Sequence, residues 1–141
     1  MPYVLSNGVR IHYAVAGEGP PLLLLHAIPF DHTLWMYQIA HFSTWYKVIA
    51  VDIRAWGRSE AVTAPYAMGD LVNDVTAICI HEGITRCPIA GISVGSRIAM
   101  QCVLDHPDRF SGLILVGGGS SPSSKVDQRI AEYETLDGKP E

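Results

Sequence analysis

The stretch Cys87-Pro88-Ile89-Ala90-Gly91-Ile92-Ser93-Val94-Gly95-Ser96 decides how the rest of the chain is read. Cys87 to Ala90 is a short, wholly apolar run of strand length. From Val94 to His106 the period changes, with Ile98, Ala99, Cys102 and Val103 on one helical face until Pro107 stops the helix. Between strand and helix lies Gly91-Ile92-Ser93-Val94-Gly95, a G-x-S-x-G. The pentapeptide alone is a weak signal, and a plain Gly/Ser turn is the competing reading; its position in a strand–turn–helix setting separates the two. In so tight a turn the glycines are needed because side chains two residues either side of the serine would collide. Ser93 is then held clear of the sheet at a helix N-terminus. There the Val94 N–H and the helix dipole can stabilise negative charge developing on a bound oxygen, which makes Ser93 a candidate nucleophile.

Upstream, Asn7-Gly8 signals a tight hairpin turn between Tyr3–Leu5 and Val9–Ala16. Gly17-Glu18-Gly19-Pro20-Pro21 breaks the chain, and Leu22 to Leu25 is a continuous apolar strand suited to a sheet buried on both faces. Trp35, Ile39 and Phe42 predict a helix from about Thr33, and Tyr46 to Val51 is a second buried strand ending at Asp52. Met68, Leu71, Val72, Val75, Ile78 and Cys79 mark one face of a further helix closed by Gly83. Leu113 to Val116 is one more apolar strand. Apolar strands alternating with amphipathic helices define an α/β fold: a mostly parallel sheet, helices on both faces, and an antiparallel hairpin at its start. Residues 1–120 form this core. Gly118 to Ser124 reads as a linker and Lys125 to Thr135 as a short polar helix, so residues 121–141 are a linker and the start of a cap or tail.

The 141 residues can bury a real core, roughly two thirds of the unfolded surface. Only 17% are charged, against about 25% in an ordinary soluble domain, so the chain is expected to pack against a partner or to belong to something larger. A net charge of −4 with no basic cluster gives no reason to expect nucleic acid or an anionic membrane. Met1 to Arg10 lacks the pattern of a signal peptide. The longest apolar run, Pro21 to Phe30, is interrupted by His26 and Pro29 and is too short to span a bilayer. Cys79, Cys87 and Cys102 match no metal-site spacing and read as reduced, buried thiols of a cytoplasmic protein.

Four patches in order resemble the α/β-hydrolase fold family, in its serine esterase, lactonase and haloperoxidase-like branch. They are Leu22 to Pro29 continuing through Asp31-His32 and Trp35, Asp52 to Ser59, the Gly91–Gly95 elbow, and His106 to Phe110 before Leu113–Val116. The resemblance covers residues 3 to about 120, the N-terminal part of such a fold, truncated after the sixth strand. It implies that Ile28 supplies a second oxyanion-hole N–H beside that of Val94, and that His26 orients this loop and is not the general base. It also implies that the Asp52–Ser59 loop, with Asp52 and Arg54, has a shaping role and no catalytic one. The chain departs from the family pattern at Ala27 and Ala55, each in place of glycine, and at Ser96.

By this resemblance Ser93 attacks a carboxylic ester or related small acyl substrate to give an acyl-enzyme, with no cofactor and no metal. A haloalkane dehalogenase is disfavoured, because that branch carries Asp at the nucleophile position. The family's triad runs Ser, then Asp or Glu, then His on loops after two further strands, and this sequence contains neither loop. Asp127 lies on an expected surface helix, no histidine follows His106, and Asp74 and Asp105 sit on helices away from the acid's place. The rival reading is a catalytically incomplete hydrolase or pseudo-hydrolase with an assembly role. In either case the Leu113 strand is left as an apolar edge, predicting a homo-oligomer, as a two-fold dimer, or a completing second chain. Trp35, Trp45, Trp56 and Tyr66 are candidate pocket residues, of which at least two are expected to serve packing.

Overall fold

A computed structural model describes residues 2–118; the linker and the helix expected beyond Gly118 lie outside the described residues. The chain opens with strands β1 (Tyr3–Ser6) and β2 (Val9–Ala16). Asn7 and Gly8 between them both have positive φ, 47° and 86°, as a two-residue turn matching the twist of its strands requires. Strand β3 (Pro21–Leu25) follows, then a 3-10 turn over His32–Trp35 that runs into helix α1 (Met36–Phe42). Next come β4 (Lys47–Val51), α2 (Met68–His81), β5 (Cys87–Ile92), α3 (Val94–Asp105) and β6 (Phe110–Val116).

The six strands form one sheet in the order β1-β2-β4-β3-β5-β6. β1 and β2 are antiparallel, as are β2 and β4, while β3, β4, β5 and β6 run parallel. The sheet divides two apolar clusters. Leu23, Leu25, Ile49, Val51 and Ile89 face α2 and α3, where Val75, Ile78, Ile98 and Cys102 meet them. On the opposite side Leu22, Leu24, Val48 and Ala50 pack with Trp35 and Ile39. Alternation along each strand therefore serves two buried faces at once, which is why β3 and β4 read as continuous apolar runs.

Three elements differ from their sequence reading. The helix expected from Thr33 starts as a 3-10 turn, in which the Leu34 N–H donates to the Asp31 carbonyl three residues back at 3.1 Å and the Asp31 carboxylate caps the Thr33 N–H at 2.8 Å; Trp35 is buried, but Phe42 stays on the surface. β5 runs on to Ile92 and β6 begins at Phe110, since Phe110 pairs with Cys87 and Val116 with Ile92; polar Ser111 and Gly112 hide this extension from an apolar pattern. The last strand, expected as an apolar edge, has Leu113, Ile114, Leu115 and Val116 all exposed, Ile114 to 53%. Among the described residues, β6 pairs with β5 alone. Cys79, Cys87 and Cys102 are free and buried. The Cys79 hydrogen bond and burial raise Cys87, and burial pushes Cys102 up to about 12, so both stay protonated core residues.

Candidate active site

Ser93 occupies the turn between β5 and α3 with φ 53° and ψ −113°, outside the regions an L-residue ordinarily adopts. It is exposed, and α3 begins at the next residue. Three contacts impose this conformation. A Cβ on Gly91 would lie 2.2 Å from the Gly95 carbonyl oxygen, so the turn closes on itself only with glycine there. A Cβ on Gly95 would lie 2.4 Å from the Leu25 carbonyl oxygen and 2.7 Å from that of His26. The glycine requirement at 95 thus comes from the neighbouring strand and not from collision beside the serine. The Ser93 N–H donates to the Val116 carbonyl at 3.0 Å. Ser96, where many relatives are expected to have a second glycine, is fully buried and donates its hydroxyl to the Gly91 carbonyl at 2.7 Å.

The same Gly95 contacts bring the start of α3 against the loop that leaves β3. That loop holds half-buried Ile28, joined to Pro29 by a cis peptide bond, and the Phe30 N–H closes a turn onto the Ala27 carbonyl at 2.9 Å. His26 at its base is completely buried. Its Nε2 accepts the Ile53 N–H at 2.9 Å, so Nδ1 carries the hydrogen and donates to the Ala27 carbonyl at 2.9 Å. Burial lowers its pKa, against smaller raising contributions from the Ala27 carbonyl and nearby carboxylates. A neutral ring with both nitrogens engaged cannot accept a proton from Ser93, so it is a loop anchor.

Asp52, fully buried at the end of β4, gathers four donors. Its Oδ1 accepts the His32 N–H at 2.7 Å and His32 Nδ1 at 2.8 Å; its Oδ2 accepts His12 Nδ1 at 2.7 Å and the Arg58 N–H at 2.9 Å. Burial alone would raise this carboxyl, but the Arg58 and His32 N–H groups outweigh it and hold the group below its ordinary value, ionised. The donor atoms of His12, His32 and Asp52 lie within 4.8 Å of one another, close enough in spacing for a metal ion. The Nδ1 atoms that face Asp52 carry hydrogens and its two oxygens already accept four N–H groups, so the group reads as a hydrogen-bonded cluster. The part His12 and His32 play escaped the sequence reading. The available signal was a histidine at the centre of an otherwise apolar strand, Ile11-His12-Tyr13.

Arg54 and Asp74, 20 residues apart, form a buried bidentate pair at 3.0 and 2.7 Å, and the Arg54 guanidinium lies 5.9 Å from the Tyr66 ring centre. Asp74 is therefore a structural counter-ion. Asp105 is a surface residue bonded to Gln101, and Asp127 lies outside the described residues. The remaining histidines sit at the C-terminal ends of helices: His41 against the Phe42 and Trp45 rings, His81 against Tyr13, and His106 capping α3. Of the aromatic pocket candidates, Trp35 and Trp56 are buried in the core, Tyr66 is half-buried beneath Arg54, and Trp45 is on the surface. No helix among the described residues is long and apolar enough to cross a membrane.

A strained, exposed serine between a parallel strand and a helix, on a sheet of this order, is the signature of one class of enzyme fold. The sequence profile of the alpha/beta hydrolase fold matches residues 20–136, and the chain belongs to that family. It is 32% identical over 135 residues to epoxide hydrolase 3 of Xenopus tropicalis, an alignment that covers 93% of this chain and 36% of that protein. It is 35% identical over 115 residues to an (E)-2-((N-methylformamido)methylene)succinate hydrolase of Acinetobacter baylyi, covering 81% of this chain and 43% of that one. Among solved structures, the enol-lactonase of Burkholderia xenovorans superposes with a TM-score of 0.87 at 28% identity, over 97% of this chain and 55% of its own. The chain thus spans less than half the length of these two curated relatives.

Proposed function

We propose that this chain carries the nucleophile and oxyanion-hole portion of a serine hydrolase acting on a carboxylic ester or related small acyl substrate. The observation that supports this best is the backbone of Ser93, held at φ 53° on the surface side of the elbow. Such strain persists only where surrounding contacts over-determine it, and it costs of order 1–3 kcal/mol. In the proposed reaction the Ser93 Oγ adds to the substrate carbonyl carbon. The oxygen then becomes negative facing the N–H groups of Ile28 and Val94, collapse expels the alcohol, and water later releases the acid. The serine itself favours a carbonyl over an epoxide. Attack by Oγ on an epoxide carbon would leave an ether that water cannot reopen, whereas attack on an ester gives a second ester that it can. The chemistry calls for no cofactor and no metal.

The hydroxyl must lose its proton as it attacks, and the histidines of this chain are engaged elsewhere or placed at the far ends of helices. His106, for example, is separated from Ser93 by a 12-residue helix, about 18 Å. A base supplied by another segment or chain fits this reading. The second reading, a catalytically incomplete hydrolase with an assembly role, draws on the same histidines and on the exposed β6 strand. Treatment with a fluorophosphonate probe and peptide mapping separates them: labelling at Ser93, lost in Ser93→Ala, is expected of the first. Ester turnover that survives Ser93→Ala would overturn it, and an inert Ser93 leaves the second.

A further inference from the structure

We propose that His32, acting through Asp52, is the positioning residue of the loop that presents the Ile28 N–H; this rests on the reading of Ile28 as an oxyanion donor. The loop leaves β3 at Leu25 and is fastened at two points. At one end the His26 ring accepts the N–H of Ile53 at 2.9 Å. At the other, His32 places two donors, its backbone N–H and its Nδ1–H, on the single oxygen Oδ1 of Asp52, at 2.7 and 2.8 Å. Both fastenings fall on consecutive residues, 52 and 53, at the end of β4. The five residues between, Ala27 to Asp31, are closed onto one spot of the sheet, with Ile28 near the middle.

The spot is itself immobilised. Oδ2 of Asp52 is held by His12 Nδ1 from β2 and by the Arg58 N–H. The Gly57 backbone is wrapped so closely round the carboxylate that an added Cβ would lie 2.4 Å from its carbon. His12 has no partner at Nε2, so its one ring hydrogen belongs on Nδ1, facing the ionised carboxylate. The Ser59 hydroxyl completes the cage by donating to the Asp52 carbonyl at 2.6 Å and accepting the His12 N–H at 2.8 Å. Because Gly95 packs on the carbonyls of Leu25 and His26, the Val94 N–H is fixed to the start of the same loop. The distance between the two N–H groups that face the oxyanion then depends on where His32 pins the loop's far end.

Two substitutions distinguish positioning from simple support. His32→Asn keeps a side-chain N–H where Nδ1–H stands; His32→Leu fills similar space without it, and both retain the backbone N–H. In His32→Leu the amides of Ile28, Phe30 and Asp31 should exchange with deuterium roughly tenfold faster or more, while those of Leu24, Ile49 and Ile89 keep their rates. The rate at which a fluorophosphonate labels Ser93 should fall roughly 10- to 100-fold, because one oxyanion donor is displaced. His32→Asn should restore both to within about threefold of wild type. Equal loosening of loop and sheet would show a merely structural role and overturn the proposal, as would loop exchange unchanged in His32→Leu. A wild-type Ser93 that takes no label under any condition would instead overturn the reading of the site, and the positioning role with it.

Discussion

Gly95 on α3 and Leu25 at the end of β3 are in backbone contact: a Cβ on Gly95 would sit 2.4 Å from the Leu25 carbonyl oxygen. Neither partner can yield, because one is strand backbone paired to β4 and β5 and the other is the first turn of the helix. Gly95→Ala is therefore expected to destabilise the fold by about 1–3 kcal/mol or more, read as a lower urea midpoint. Gly69, in the first turn of α2 with nothing within 4 Å of its missing Cβ, is the control. Gly69→Ala should be neutral or stabilising by up to about 1 kcal/mol. Equal losses at both positions would show that the contact does not limit the elbow.

Ala55 adopts φ 69° in the turn after β4, where the family resemblance leads one to expect glycine. The left-handed conformation costs a residue with a Cβ about 1–2 kcal/mol, and Ala55 is exposed, so its methyl group packs little. Glycine loses more chain entropy on folding, which offsets part of the gain. Ala55→Gly should raise stability by about 0.5–1 kcal/mol. A thermal melt in which this variant unfolds earlier than wild type would contradict the account.

Acid should weaken this fold from just below neutrality. Burial first and foremost lowers the pKa of both His12 and His26 below the ordinary value of 6.5. The stability these neutral rings contribute is fully present above pH 6.5 and is lost as the pH falls, because the unfolded chain takes up protons that the folded one refuses. Asp52, also lowered, adds a further loss below its ordinary 3.8, so the two effects act in the same direction. Melting temperature should decline steadily from pH 7 to pH 5. His12→Asn, which keeps the donor and removes the titration, should flatten that slope. A flat wild-type profile over this range would refute the assignment.

The Arg54–Asp74 pair is almost completely buried. Removing either partner strands a charge, and Arg54→Leu or Asp74→Asn should each cost about 3–5 kcal/mol. The double substitution should cost clearly less than the sum of the two, a coupling that a double-mutant cycle measures. Additive losses would mean that the two groups are stabilised by other partners.

Among the described residues the exposed Leu113–Val116 strand is an edge of the sheet, paired with β5 alone, and carries apolar side chains. A second copy pairing along it would bury that patch symmetrically, so the 141-residue chain is expected to self-associate at low micromolar concentration. Ile114→Lys should shift it toward monomer in sedimentation velocity. A wild type that sediments as a stable monomer would rule out association through this edge.

Local patterns determined the elements. The apolar run Leu22–Leu25, the strand read over Tyr46 to Val51, the Asn7-Gly8 turn and the Gly91–Gly95 motif each act within a few residues, and each formed within a residue of where its pattern placed it, since backbone geometry and side-chain period are short-range properties. The turn at Ser93 was legible for the same reason: a serine with a glycine two residues away on either side, between strand and helix, has few backbone solutions. Contacts between distant residues were not legible. His12 and His32 lie 40 and 20 residues from the Asp52 they share, and Arg54 lies 20 from Asp74. No periodicity links such positions, because they meet only after β2, β4 and α2 are laid side by side. The same holds for Gly95, whose requirement for glycine is set by β3, a strand some 70 residues earlier. The sheet order that places β3 beside β5, and puts β6 at the edge of the described sheet, is a choice among packings of the same apolar strands. Burial of whole faces, not local preference, makes that choice.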